Sequence, residues 1–181
     1  MADITYKPKQ GVEHKLTLDY FGDTLLVRDL GFIRRNNARN VTYRYSHSTG
    51  RGLKRLRGKS ISTVLSNEWN MDGRLVRAGY FLRNAWTFKN LNEIRTEFDY
   101  FPATWDDRNS FGNGDYKVDG RIVVEVAFGT DTSKVLSLSA LVGMRQEELS
   151  DWTVRTGLGL TFKPNDWFSV DLGLNYFERK G

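Results

Sequence analysis

The sequence predicts an all-β fold, an antiparallel up-and-down β-barrel of about eight strands or a fragment of a larger barrel. The first observation is strict alternation: over residues 152–176 apolar side chains occupy every second position on both sides of the short turn Lys163–Asp166. The second is length, because several such runs extend over about ten residues, where strands of soluble proteins usually have five or six. The third is that short and long connections alternate along the chain.

The alternation recurs in runs that are predicted as strands. No segment has helical periodicity over three turns, and no low-complexity tract or linker separates one run from the next. The chain is therefore predicted to be a single β-barrel domain, residues 1–181. The predicted strands are Val12–Tyr20, Val41–His47, Ile61–Trp69, Val76–Phe88, Ile94–Phe101, Ile122–Phe128, Leu136–Met144, Trp152–Phe162 and Phe168–Phe177.

The connections predict which end of the sheet carries the loops. If the strands run up and down, the short turns near Lys89–Asn90, Thr130–Lys134 and Lys163–Asp166 lie at one end. The longer connections then lie at the other end, as in outer-membrane barrels, where short periplasmic turns face longer outer loops. The long connections are Phe21–Asn40, Asn70–Arg74, Ala103–Gly120 and Arg145–Asp151. The basic segment Ser46–Lys59 is an exception, because it is long where a short turn is expected.

Each predicted strand has an apolar face and a polar face, and the apolar face contacts either a protein core or lipid. Small glycine and serine residues on the polar face favour the narrow interior of a barrel. The charged residues of that face are predicted to line the lumen as a salt-bridge network; they are Arg77, Arg83, Glu93, Arg95, Glu97, Asp99, Glu125, Arg155 and Asp171. Aromatic residues near strand ends predict girdles at the membrane interfaces; they are Tyr43, Trp69, Trp86, Tyr100, Trp152, Phe162, Trp167, Phe168 and Tyr176.

Composition excludes several classes of protein. The 181 residues are 39% hydrophobic and carry a net charge of +5 with both signs interspersed. No apolar run approaches the roughly 18 residues of a transmembrane helix. There is no cysteine, so no disulfide or thiolate chemistry is expected. The N-terminus lacks the apolar region of a signal peptide, and none is predicted.

Candidate sites for chemistry are few. Glu97 and Asp99 share a strand face, but no positioned nucleophile or histidine accompanies them, so the protein is predicted not to be an enzyme. The loop after the fifth predicted strand offers oxygen ligands suited to Ca²⁺. Its spacing is not that of an EF-hand, and Asn, Asp and Gly are also ordinary turn residues, so no metal and no cofactor is predicted. These external-loop residues are Asp106, Asp107, Asn113 and Asp115.

The basic turn Arg51–Lys59 is the single cluster of charge. It lacks the interleaved aromatic residues that stack on bases, so no nucleic-acid partner is predicted. Strand alternation places it on the short-turn side, where phospholipid head groups are a predicted contact. A solvated turn is the simpler interpretation.

Four phrases in this order resemble a known family. They are "DLGFIRRNN" at residues 29–37, "FPATWDDRNSFGNG" at 101–114, "TDTSKVLSLS" at 130–139 and "LTFKPNDWFSVDLGLNY" at 160–176. The chain resembles the outer-membrane β-barrel family of unknown function that commonly follows a carbohydrate-binding-family-9-like domain in Gram-negative bacteria. The resemblance implies a barrel in the bacterial outer membrane, reached after export. Family members look longer, with a signal peptide and an N-terminal domain, so this chain is expected to be a piece of a longer protein.

The expected function is that of a non-enzymatic membrane anchor or scaffold, or of a narrow pore. Its expected partner is the lipid bilayer of the outer membrane with its lipopolysaccharide, and open strand edges also predict association with other strands. The alternative is a soluble β-barrel or sandwich that binds a small apolar ligand in its interior, with the apolar face lining the cavity.

Overall fold

A computed structural model describes residues 1–22, 37–50, 52–109, 114–147 and 151–180. Throughout these residues the chain forms β-strands and turns, and none of them is helical. The strands are β1 (Ala2–Lys9), β2 (Val12–Phe21), β3 (Ala38–Thr49), β4 (Leu56–Asn70), β5 (Leu75–Phe88), β6 (Glu93–Phe101), β7 (Thr104–Asp106), β8 (Tyr116–Val118), β9 (Arg121–Gly129), β10 (Leu136–Gln146), β11 (Trp152–Asn165) and β12 (Phe168–Lys180).

Ten of these strands form one antiparallel meander in the order β1-β2-β3-β4-β5-β6-β9-β10-β11-β12. The up-and-down antiparallel prediction is confirmed. The prediction of a closed barrel of about eight strands is not, because β1 and β12 each pair on one side and the sheet is open. β7 and β8 form a separate two-stranded hairpin inside the long connection between β6 and β9.

The described strands exceed the nine predicted because β1, β7 and β8 were not predicted, and only β1 of these belongs to the meander. Pro8, which lacks an N–H, stands between Lys7 and Lys9 in this strand, and such residues occur on sheet edges rather than in central strands. Their presence obscured the alternation of Ile4 and Tyr6.

The irregular connection Ser46–Lys59 is mostly strand. β3 continues to Thr49 and β4 begins at Leu56, and Ser48 pairs with Ser60 across them. The turn itself is therefore residues 50–55, and it lies at the same end as the other short turns. The connections lie at the predicted ends, but their lengths do not separate as predicted, because the β4–β5 connection has only residues 71–74 while the β9–β10 turn has residues 130–135.

Register joins the apolar positions of all ten strands into one face. For example, Leu16 pairs with Tyr43, Tyr43 with Leu65, and Leu65 with Tyr80. The polar positions form the opposite face, since partners across an antiparallel ladder point to the same side. Residues from β2 to β6 line one cavity of about 750 Å³ on the polar side, so the sheet curves around its polar face.

The described residues contain no helix long and apolar enough to cross a bilayer.

Candidate functional site

Four charged residues of the polar face lie in a row that crosses the middle of the sheet. Register pairs Arg83 with Glu97 and Glu97 with Glu125, while Gly143 lies between Glu125 and Arg155. Arg83 Nη2 donates to Glu97 Oε1 at 3.0 Å. A Cβ on Gly143 would lie 3.3 Å from Glu125 Oε2, so the glycine leaves room for that carboxylate. These four charged residues are called the charged row below.

Asp99 lies beside the charged row and is its most buried neighbour. Its exposure is 6%, and Arg83 Nη2 approaches its Oδ2 at 3.8 Å. Within the described part of the chain its Oδ1 has no hydrogen-bond partner. Desolvating a buried carboxylate with one distant cation costs free energy, and the positive charge of Arg83 offsets part of this cost for Asp99.

All nine residues predicted to line a lumen lie on the polar face. Arg95 reaches Glu93 at 3.6 Å along its own strand, and Asp171 accepts a hydrogen bond from Thr161. Arg77 pairs in register with Glu68 across β4 and β5. Ion pairs among these nine residues join Arg83 to Glu97 and Asp99, and Arg95 to Glu93. The predicted lumen lining stays a prediction, because these strands enclose no lumen in the open sheet.

Sequence reasoning missed an aromatic cluster on the polar face. Phe81 stands at a polar position, and its ring lies over Gly79, where a Cβ would meet Phe81 Cζ at 2.7 Å. Phe101 packs edge-on against Phe81 at 5.6 Å, and the Arg121 guanidinium lies 4.8 Å from the Phe101 ring centroid. The signal in the sequence was the position of Phe81, a large apolar residue between Gly79 and Arg83 on an otherwise small and charged face.

The β7–β8 hairpin packs against β5 at the long-connection end. Buried Asn70 donates from Nδ2 to Asp107 Oδ2 at 3.0 Å, and its Oδ1 accepts from the Arg74 amide. Arg74 forms an ion pair with Asp115 and lies 5.2 Å from the Trp105 ring centroid. The hairpin is thereby tied to the β4–β5 turn and borders the cavity of the polar face.

Asp106 organises the turn of this hairpin. Its Oδ1 accepts hydrogen bonds from the amides of Asn109 and Arg108 at 2.9 and 3.0 Å, and its Oδ2 accepts from the Asn109 side chain and the Tyr116 hydroxyl. These bonds, the Asn109 amide first, lower the pKa of Asp106 to about 2. The carboxylate therefore stabilises the hairpin while it is ionised.

We expect this turn to loosen only at strongly acidic pH. Because the pKa is depressed from 3.8 to about 2, the contribution is complete above about pH 4 and is lost as the pH falls through 2. The amide resonances of Arg108 and Asn109 should titrate with a midpoint near 2. The variant Asp106→Ala should abolish the titration, and a midpoint near 4 in the native chain would contradict the hydrogen-bonding argument.

The calcium candidates are engaged with protein partners. Asp106, Asp107 and Asp115 each bind a different group, and Asn113 lies outside the described residues. In the described portions of the chain, no three acidic, histidine or cysteine side chains are placed to hold a metal ion. The described candidates therefore belong to the β7–β8 hairpin and the residues next to it, and their external position stays a prediction.

The apolar face is the more solvent-exposed face of the sheet. Leu158, Leu172 and Leu174 are 62%, 60% and 67% exposed, and similar exposure extends to the other strands. The polar face holds buried positions such as Gly79, Asp99 and Ser137. Further exposed apolar residues of this face include Ile4, Leu18, Leu65, Leu82, Phe98, Val124, Val126, Phe128, Leu136, Leu138 and Val142.

The predicted girdle residues lie on this face and in one turn. Tyr43, Leu65, Tyr80 and Tyr100 form one row in register, and the Tyr80 and Tyr100 rings are 6.0 Å apart. Tyr80 was not predicted. Trp69 and Trp152 lie towards the long connections. Tyr176 of β12 pairs in register with Thr156 of β11 on the same face. At the short-turn end lie Trp86, Phe162, Trp167 and Phe168.

No protein-family model, curated protein or solved structure matches the chain. The resemblance to an outer-membrane family therefore stays a prediction. Most of the phrase at residues 29–37 that contributes to it lies outside the described residues.

Proposed function

We propose that the chain forms a membrane-embedded β-sheet of the bacterial outer membrane and acts as a non-enzymatic anchor or scaffold. One observation carries the proposal: exposed apolar residues extend over the same face of the sheet from β1 to β12, interrupted by polar residues such as His14, Asn67 and Asn84. Soluble monomers rarely expose apolar patches beyond a few hundred Å². Lipid covers such a face without any further protein, and the aromatic residues near the strand ends suit the two interfaces.

The curvature supports lipid contact over the soluble alternative. In a soluble ligand-binding barrel the apolar face lines the interior. Here one cavity of about 750 Å³ lies on the polar side, where Arg44 and Glu68 line it together with Phe81, and a second of about 510 Å³ lies over the apolar face of β9–β12. A barrel with a polar interior and a lipid-facing exterior requires curvature around the polar side.

Closure is part of the proposal. Each unpaired backbone N–H or C=O group of β1 and β12 would cost roughly several kcal/mol of free energy in hydrocarbon. Both edges must therefore be paired in the membrane. β12 has the more receptive edge, because it runs for 13 residues without proline. Further strands, or the two edges themselves, would complete the barrel around the polar face.

The geometry favours an anchor over a pore. The charged row lies across the polar face, and the β7–β8 hairpin packs beside the cavity at the long-connection end. Both reduce the space available to a solute, as expected for small barrels that are filled by side chains.

Adjacent residues of β12 give a direct test. Leu172 and Asp171 are both exposed but belong to opposite faces, and the native chain contains no cysteine. In purified outer membranes Leu172→Cys should react with a lipid-soluble maleimide and not with a charged one. Asp171→Cys should not show this pattern of reaction with the lipid-soluble maleimide alone. Absence from membranes, or free labelling of Leu172→Cys by the charged reagent, would refute lipid contact.

A further inference from the structure

We propose that the short-turn end of the sheet is a docking surface for anionic phospholipid head groups, centred on Lys54, Arg55, Arg57 and Lys59. This inference rests on the proposed membrane location and adds the lipid class that this end recognises. These four residues are called the basic end below. All four side chains are exposed, and no carboxylate within the described residues pairs with them.

The position of the basic end on the sheet makes it suited to lipid. Lys54 and Arg55 lie in the turn, and Arg57 and Lys59 in the first residues of β4. Lys59 pairs in register with Trp86 of β5, so the two residues are cross-strand neighbours on the apolar face near its short-turn edge. Trp residues and snorkelling Lys residues both occur at the level of lipid head groups.

Neighbouring turns strengthen the positive charge. Lys9, Lys89 and Lys134 lie in or beside the other short turns, and Lys163 is paired with Asp166 at 3.1 Å. The acids of this end already have partners. Glu93 is paired with Arg95, and Asp131 accepts hydrogen bonds from Ser133, which lower the pKa of Asp131.

The opposite end has the reverse balance. In its described connections the carboxylates outnumber the cations Arg74, Arg108, Lys117 and Arg121. The carboxylates there are Asp72, Asp106, Asp107, Asp115, Asp119, Glu147 and Asp151. Among the described residues, and with Arg179 paired to Asp151, the positive charge is concentrated on the short-turn side, where it is complementary to anionic lipid because attraction to a charged membrane surface falls off within a Debye length.

Phospholipid fits the basic end better than nucleic acid does. Leu53 and Leu56 alternate with the cations along the chain and are half-buried, and the neighbouring aromatic residues Trp86 and Phe88 lie across the strand pair rather than between the cations. Apolar side chains beside cations suit the boundary between head groups and acyl chains.

Tryptophan quenching by brominated lipids tests the proposal. In a variant that keeps Trp86 alone, with the other four tryptophans changed to Phe, Trp86 reports on lipid next to Lys59. The protein is reconstituted in phosphatidylcholine vesicles containing brominated phosphatidylglycerol or brominated phosphatidylcholine. We expect association of phosphatidylglycerol near Trp86 to exceed that of phosphatidylcholine by about fivefold at low salt.

The matched variant carries K54Q, R55Q, R57Q and K59Q. In this variant the ratio of phosphatidylglycerol to phosphatidylcholine association near Trp86 should fall to unity. A second reporter chain keeps only Trp69, at the opposite end, and its ratio should be the same with and without the four substitutions. Equal quenching by the two lipids in the native basic end, or a preference that survives K54Q, R55Q, R57Q and K59Q, would overturn the inference and leave membrane insertion intact. If neither lipid quenches either tryptophan, the chain is outside the bilayer, and the proposed function fails together with the inference.

Discussion

Replacing Gly11 by alanine is expected to reduce the free energy of unfolding by about 3 kcal/mol and to release β1 from β2. Gly11 occupies the β1–β2 turn with φ of +80°, in the left-handed region that side chains disfavour. A Cβ built there would lie 2.1 Å from the Ser48 carbonyl oxygen. That oxygen belongs to the backbone of β3, and the Ser48 amide donates to the Gly11 carbonyl at 2.7 Å, so neither chain can move aside without breaking this bond.

Gly73→Ala separates the two causes. Gly73 also has a positive φ, +79°, but no atom lies within 4 Å of its added Cβ. The Gly73→Ala variant should lose only about 1 kcal/mol of the free energy of unfolding, the cost of a left-handed backbone for a residue with a side chain. Urea unfolding in detergent micelles measures both variants, and amide exchange at Ile4 and Leu16, which pair across β1 and β2, reports on release of the strand. Equal losses for the two variants would show that the close contact with Ser48 is relieved elsewhere.

The sequence was sufficient for the ladder of strands and the identity of the two faces. Alternation is a local property, since it follows from the two-residue repeat of a strand, and it correctly placed Asp171 and Leu172 on opposite sides. Alternation did not reveal β1, because Lys7, Pro8 and Lys9 of this edge strand interrupt the pattern of apolar and polar residues. It also made Ser46–Lys59 a loop, because small and basic residues in β3 and β4 hide the strands there.

Closure and long-range contacts lay beyond local reasoning. Whether a meander closes depends on the register summed over every strand pair, and no single run of sequence specifies it. The hydrogen bond from Asn70 to Asp107 joins residues on separate connections, so the docking of the β7–β8 hairpin could not be inferred from either segment. The charged row was predictable as a face, but Glu97 and Glu125 became partners only through the pairing of β6 with β9.

Arg83→Leu is expected to reduce the free energy of unfolding by about 2 kcal/mol, less than the 3–5 kcal/mol typical when a fully buried ion pair loses one member. The reason is Asp99. Its side chain is 9% exposed, and the Arg83 guanidinium at 3.8 Å is its cation, so the substitution leaves an uncompensated carboxylate. The Arg83–Glu97 ion pair adds little, because both side chains are accessible and exposed pairs are worth at most about 1 kcal/mol.

A double-mutant cycle isolates this cause. Asp99→Asn removes the buried charge and should leave the free energy of unfolding nearly unchanged. The reason is that the carboxylate is already costly in the native chain, because its Oδ1 lacks a hydrogen-bond partner. In the Asp99→Asn background, Arg83→Leu should then cost less than about 0.5 kcal/mol. Arg95→Leu is the matched control on the same polar face, because Arg95 reaches only exposed Glu93, and its loss should be similarly small. If Arg83→Leu costs the same with Asp99 and with Asn at position 99, the arginine stabilises the sheet through its packing over the Phe81 ring, 5.7 Å away, rather than by compensating a buried charge.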